Sequence, residues 1–95
     1  ISPQEVEEAA LATGLVAEAV ALGVPDARLG QAVHLVVRGS GDHAARADLP
    51  KRLQRDLPNF MQPQHIHWRE AMPLNPNGKI DRTALQAELN QEFAP

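Results

Sequence analysis

The stretch from Pro73 to Arg82 reads P-L-N-P-N-G-K-I-D-R and sets a lysine, Lys79, on a Pro/Asn/Gly loop directly ahead of a helix start. The chain has only two lysines, Lys51 and Lys79, and the second follows a glycine. Gly78 lets the backbone take positive φ and approach a ligand closely. An ammonium on such a loop is a mobile point charge with three donors, suited to anionic oxygens. The loop taken alone favours the plainer alternative, a solvated turn lysine, and it is the rest of the chain that reverses this. It is not a Walker A loop, which needs a glycine where Pro73 stands and a Ser or Thr where Ile80 follows the lysine.

Working outward, Asp81 caps a last helix whose apolar stripe is Leu85, Leu89 and Phe93, with Ile80 and Leu85 placed as a hydrophobic staple. Upstream, His65 to Trp68 reads as a short strand, and Phe60 to Pro63 as a linker. Asp48 is expected to cap a helix through about Leu57, with Leu49, Leu53 and Leu57 on one face and Pro58 as the stop. Gly39 to Ala45 reads as an exposed connection. Gln31 to Arg38 alternates as a strand, and the Val/Ala/Leu-rich run from Leu15 to Val24 reads as another, the two joined by a turn through Pro25 and Gly30. The N-terminus carries a capping box, Ser2 with Glu5 and Pro3 between them, and a staple of Ile1 on Val6, so a helix is expected from Pro3 to Thr13 with Gly14 as its cap. A helix that starts so abruptly suggests a segment cut from something larger. The order α, β, β, α, β, loop, α predicts an α+β fold: a small, roughly three-stranded, largely antiparallel sheet packed with about three helices.

Ninety-five residues are enough for one domain with an adequate core, and an apolar fraction of 43% is that of a globular protein. Phe60, Trp68 and Phe93 are the only large aromatics, so Val, Leu, Ile and Ala must build the core. There is no cysteine, which removes disulfides and thiolate metal sites. No apolar run approaches a membrane span, and a cytoplasmic protein is the default expectation. Nine Lys/Arg against twelve Asp/Glu give a net charge of −3, without the basic face that phosphate neutralisation requires, so nucleic acid is not an expected partner.

Other chemistry is thin. His65 and His67 would point the same way on a strand, but His34 lies on another strand and His43 in a connection, so no third ligand and no metal site is expected. Ser2 and Ser40 are the only serines, and neither has a convincing base for covalent catalysis. Glu5, Glu7 and Glu8 sit where a helix N-terminus favours negative charge and read as structural.

The whole pattern resembles the small C-terminal domain of the adenylate-forming superfamily, which includes acyl-CoA synthetases, peptide-synthetase adenylation domains and firefly-type luciferases. Ile1 to Glu7 is similar to the I-x-P-x-E-[IV]-E that follows that family's hinge. Val16 to Asp26 is similar to its V-x-E-A-x-V-x-G-x-P-D segment, with Gly30 as the glycine that follows. Leu57, Pro58 and Pro63 fit its L-P-x-x-x-x-P step, with Asn59, Phe60 and Met61 a mild change of wording. Pro73 to Arg82 is similar to its closing P-x-x-x-x-G-K-[IV]-x-R.

The resemblance implies that residues 1–95 form a single C-terminal lid of an AMP-forming ligase, without the large N-terminal domain and the hinge. It implies ATP with Mg, a carboxylic acid, and coenzyme A or the phosphopantetheine of an acyl or peptidyl carrier protein as acceptor, with the chain's own N-terminal domain as partner. Lys79 would be the adenylation lysine, Gly78 and Asn77 would support its loop, and Arg82 would anchor the loop at the helix start. The isolated domain would not be active. The rival expectation is a stand-alone, non-catalytic protein-binding module that retains the fold.

Overall fold

The computed structural model describes residues 3–39 and 41–93. The capping box of Ser2, the staple of Ile1, and Ser40 lie outside the described residues. Seven elements follow in order: α1 (Pro3–Ala12), β1 (Glu18–Asp26), β2 (Gly30–Arg38), α2 (His43–Asp56), a 3-10 turn (Asn59–Met61), β3 (His65–Arg69) and α3 (Arg82–Glu92). The α+β class and the three-stranded sheet match the expectation.

β1 and β2 form a long antiparallel hairpin, paired from Glu18↔Arg38 to Asp26↔Gly30. Its turn is closed by Asp26, whose Oδ1 accepts the N–H groups of Arg28 (2.8 Å) and Leu29 (2.9 Å), and by Gly30 at φ 79°. These bonds draw Pro25 and Asp26 into the ladder, so β1 runs further than Val24. Pro25 is tolerated there because β1 is an edge strand of the order β1-β2-β3.

β3 pairs with β2 in parallel, from His34↔His65 to Arg38↔Arg69. The sheet is therefore mixed, its antiparallel pair the longer of the two. The reason is α2, which carries the chain back across the sheet so that β3 starts at the same end as β2, as parallel neighbours require.

α2 begins earlier than Asp48. Asp42 is the cap: its Oδ1 accepts the Ala45 N–H at 2.8 Å, and His43 already lies in the helix. The expected connection therefore shortens, and His43 moves from loop to helix. Pro50 makes Asp48 look like a cap, because proline favours first turns. Here it sits on the exposed face of a running helix, which simply lacks the one bond that residue 50 would donate.

Strand alternation splits the core in two. On one face Ala19, Ala21, Leu35 and Val37 meet Val6 and Ala10 of α1 and Leu49 and Leu53 of α2, closed by Leu57 and Met61. On the other, Val20, Leu22, Val24 and Val36 meet Leu85 and Leu89 of α3 and Met72, with Ile80 and Phe93 packed at the margin. Two helices thus cover one face and one covers the other. The loop that bears Lys79 leaves the sheet on the α3 side and turns directly into that helix.

Candidate active-site loop

A short neck closes the loop. Leu74 and Ile80 form an isolated antiparallel bridge, and the Asp81 N–H donates to the Pro73 carbonyl at 2.8 Å. Ile80 packs against the α3-side core, and Asp81 caps α3 by accepting the Ala84 N–H at 3.0 Å. Both ends of the neck are therefore fixed to packed structure.

The tip from 75 to 79 is held differently. The Asn75 N–H donates to the Lys79 carbonyl at 2.8 Å, and the Gly78 N–H donates to the Asn75 carbonyl at 2.9 Å. The Asn75 side-chain oxygen accepts two more bonds, from the N–H of Asn77 at 2.9 Å and of Lys79 at 3.1 Å. Gly78 turns the chain at φ 79°, and a Cβ there would meet nothing within 4 Å. Its glycine is thus required by the backbone angle and not by crowding within the chain.

Lys79 is exposed at this tip, and among the described residues its ammonium forms no ion pair. The arrangement presents one cation, at the end of a loop whose backbone is tied at every turn, to whatever faces it. The loop brings Asn77, Gly78 and Lys79 together. Asn77 joins it through its backbone, since the bond it makes to Asn75 is donated by its N–H.

Arg82 looks the other way. Its Nη2 donates to Glu7 Oε1 at 2.8 Å, and Glu7 Oε2 accepts the Ala21 N–H of the β1 edge at 2.8 Å. The Glu7 carboxylate beside it raises the Arg82 guanidinium above its ordinary value. Glu7 is 8% exposed, so it is a buried clamp joining α1, β1 and the start of α3. That role is structural, as its sequence position suggests, but its partners lie far along the chain.

The histidines correct the sequence expectation most clearly. Parallel pairing of β2 with β3 sets His34 directly beside His65, with His67 next along the same face. His34 Nδ1 and His67 Nε2 share a hydrogen bond at 2.9 Å, and the His34 ring stacks on His65 at 4.3 Å and on His67 at 5.1 Å between centroids. Phe93 meets His34 edge-on at 4.6 Å. His34 therefore does join the other two. Stacked rings whose nitrogens bond one another do not converge on a point, and among the described residues no group of three or more His, Asp or Glu is arranged to hold a metal ion. Burial pushes His34 down to about 4, helped by the charges that His65 and His67 would carry. Burial also lowers His67, against the pull of Glu92.

Sequence reasoning missed Asn75, the Glu7–Arg82 clamp and the membership of His34. For Asn75 a signal existed: Asn followed by Pro, Asn and Gly is a turn signature in which the Asn side chain accepts backbone bonds.

The profile of the AMP-binding enzyme C-terminal domain matches residues 5–79. The chain is 37% identical over 94 residues to the fatty acid–[acyl-carrier-protein] ligase ScoC of Streptomyces coeruleorubidus, covering 98% of this chain and 17% of that protein. It is 32% identical over 88 residues to the long-chain-fatty-acid–CoA ligase of Haemophilus influenzae, covering 93% of this chain and 16% of that protein. The crystal structure of ATP-bound MatB from Rhodopseudomonas palustris matches with a TM-score of 0.87 and 26% identity, over 98% of this chain and 19% of that one. The chain belongs to the AMP-binding enzyme C-terminal domain family. It spans less than a fifth of the length of each of these three proteins. No helix among the described residues is long and apolar enough to cross a membrane.

Proposed function

We propose that this chain is the mobile C-terminal lid of an ATP-dependent, cytoplasmic acid–thiol ligase, and that Lys79 serves its adenylation step. The observation that carries this reading is the tied loop with its exposed ammonium, which forms no ion pair among the described residues, in a chain of this family. A carboxylate oxygen attacks the α-phosphorus of ATP, the bond to the β-phosphate oxygen breaks, and pyrophosphate leaves. Two anions must be brought together for this. A cation between them offsets their repulsion and stabilises the charge of the transition state.

In the second step the sulfur of a thiol attacks the acyl carbon and AMP leaves. The relatives' names point to coenzyme A for one and to a carrier protein for the other as the acceptor. A lysine carried on a lid can be supplied for the first step and withdrawn for the second. Asn77 and Gly78 hold the loop, and Arg82 ties its base to α1 through Glu7. ATP is expected with Mg²⁺, which would neutralise charge on the phosphates when bound.

The test is acid-dependent pyrophosphate release by the full-length enzyme over a panel of carboxylic acids, wild type beside Lys79→Ala. Release should fall by about 10²-fold or more in the variant, as when one transition-state charge stabiliser is removed. Thioester formation from preformed acyl adenylate should persist, and Lys51→Ala on α2 should change neither step. Equal loss in both steps would remove the role given to Lys79. No release with any acid would favour a module kept for protein binding.

A further inference from the structure

We propose that Asn75 is the positioning residue for Lys79: its amide oxygen and backbone together fix the direction in which the loop tip presents the ammonium. This rests on the reading of Lys79 as the adenylation lysine and adds a second residue to it.

The tip has few donors to work with. Pro76 has no N–H, and each remaining N–H from 75 to 79 is used in a bond with Asn75. Its own goes to the Lys79 carbonyl, those of Asn77 and Lys79 go to its side-chain oxygen, and that of Gly78 goes to its carbonyl. Asn75 thus grips residue 79 from both sides, at its N–H (3.1 Å) and its carbonyl (2.8 Å). With both peptide groups held, only the side-chain torsions of Lys79 stay free.

The neck cannot supply this. The Leu74–Ile80 bridge and the Asp81–Pro73 bond fix where the loop leaves the fold, not how its tip turns. Gly78, at φ 79°, is the most permissive residue in the loop, so the tip needs an external brace. Removing the Asn75 amide would free two N–H groups to water. On an exposed loop this hardly affects stability, but it lets Lys79 wander. Displacement of a catalytic group by about 1 Å from distant changes costs on the order of 10²-fold in rate, so a looser brace should cost a good part of that.

The experiment uses the full-length enzyme with Asn75→Ala, Asn75→Thr and Lys79→Ala, measuring both half-reactions and the thermal midpoint. Asn75→Ala is expected to lower the kcat of pyrophosphate release by about 10-fold or more, with KM for ATP and acid near wild type, because the lost interaction matters in the transition state. Transfer from preformed acyl adenylate and the thermal midpoint should stay close to wild type. Asn75→Thr, whose hydroxyl makes the same kind of turn more weakly, should recover much of the rate.

Wild-type kcat in Asn75→Ala, while Lys79→Ala loses adenylation, would overturn the role of Asn75 and leave that of Lys79 standing. Equal loss in Asn75→Ala and Asn75→Thr would overturn it as well, since the acceptor would not be what matters. Undiminished adenylation in Lys79→Ala would remove both together.

Discussion

Acidification from pH 7 to 5 should destabilise this fold chiefly through His34. The ring is 2% exposed, bonded to His67, stacked on His65 and edged by Phe93. In the folded chain it is held at about 4, against an unfolded value of 6.5. The unfolded chain therefore binds the proton first, and stability falls as pH drops through 6.5 toward 4. Below both values the loss levels off. With these two values the loss through this ring is about 2 kcal/mol at pH 5 and about 3 kcal/mol at its limit. For a domain of this size about 2 kcal/mol corresponds to a fall of roughly 10 °C in the thermal midpoint.

The groups facing the cluster are Asp26, which favours the charged ring, and His65 and His67, which disfavour it; Glu92 and Arg69 act on His67 with opposite signs. His67 titrates in the same direction and adds to the slope. Asp26 is lowered by the N–H groups of Leu29 and Arg28, so its own effect lies in more acid solution than this window. The assay is urea or thermal unfolding of this chain from pH 8 to 5, wild type beside His34→Gln. The variant should lose most of the slope, with a smaller residue left to His67. A flat wild-type profile, or the same slope in both proteins, would refute the reasoning.

Leu53→Ala removes a fully buried side chain between α2 and the sheet and should cost about 3–5 kcal/mol in urea unfolding, whereas Leu29→Ala, 58% exposed on the hairpin turn, should change stability by under about 0.5 kcal/mol. Equal costs would mean that α2 does not pack where the core places it. Glu7→Ala leaves the Ala21 N–H and Arg82 without their shared carboxylate and should cost about 2–3 kcal/mol. Arg82→Ala leaves the Glu7 carboxylate, 8% exposed, with only the Ala21 N–H and should cost about as much, and a loss under about 0.5 kcal/mol in the same unfolding assay would contradict the clamp.

Several parts of the molecule were legible because their causes are local. Asp81 caps α3 as its position before Leu85 and Leu89 suggests, and Gly14 at φ 74° follows the first helix as a C-terminal cap would. β1 was legible from its Val/Ala/Leu-rich run and β2 from its alternation; in the fold Val20, Leu22 and Val24 face one core, Ala19 and Ala21 the other. The start of α2 was not legible, because Gly39, Gly41 and Pro50 all read as breakers while Asp42 supplies a cap strong enough to start the helix between them. For the site, the Lys79 loop stood out from its composition alone; the turn signature at Asn75 is equally local, but which N–H groups it holds emerged only from the bonds.

By itself, the sequence determined the element types, the turn chemistry of the loop from 73 to 82, the α+β class and the family resemblance. Each depends on neighbours within a few residues or on motif order along the chain. The tertiary structure alone decided that β3 joins β2 in parallel, that His34 completes a stack with His65 and His67, and that Glu7 reaches Arg82 across 75 residues. Those outcomes turn on strand direction, register and the face each helix covers. They are choices between distant segments, settled by how two apolar faces of one sheet are buried at once, and no local pattern encodes them.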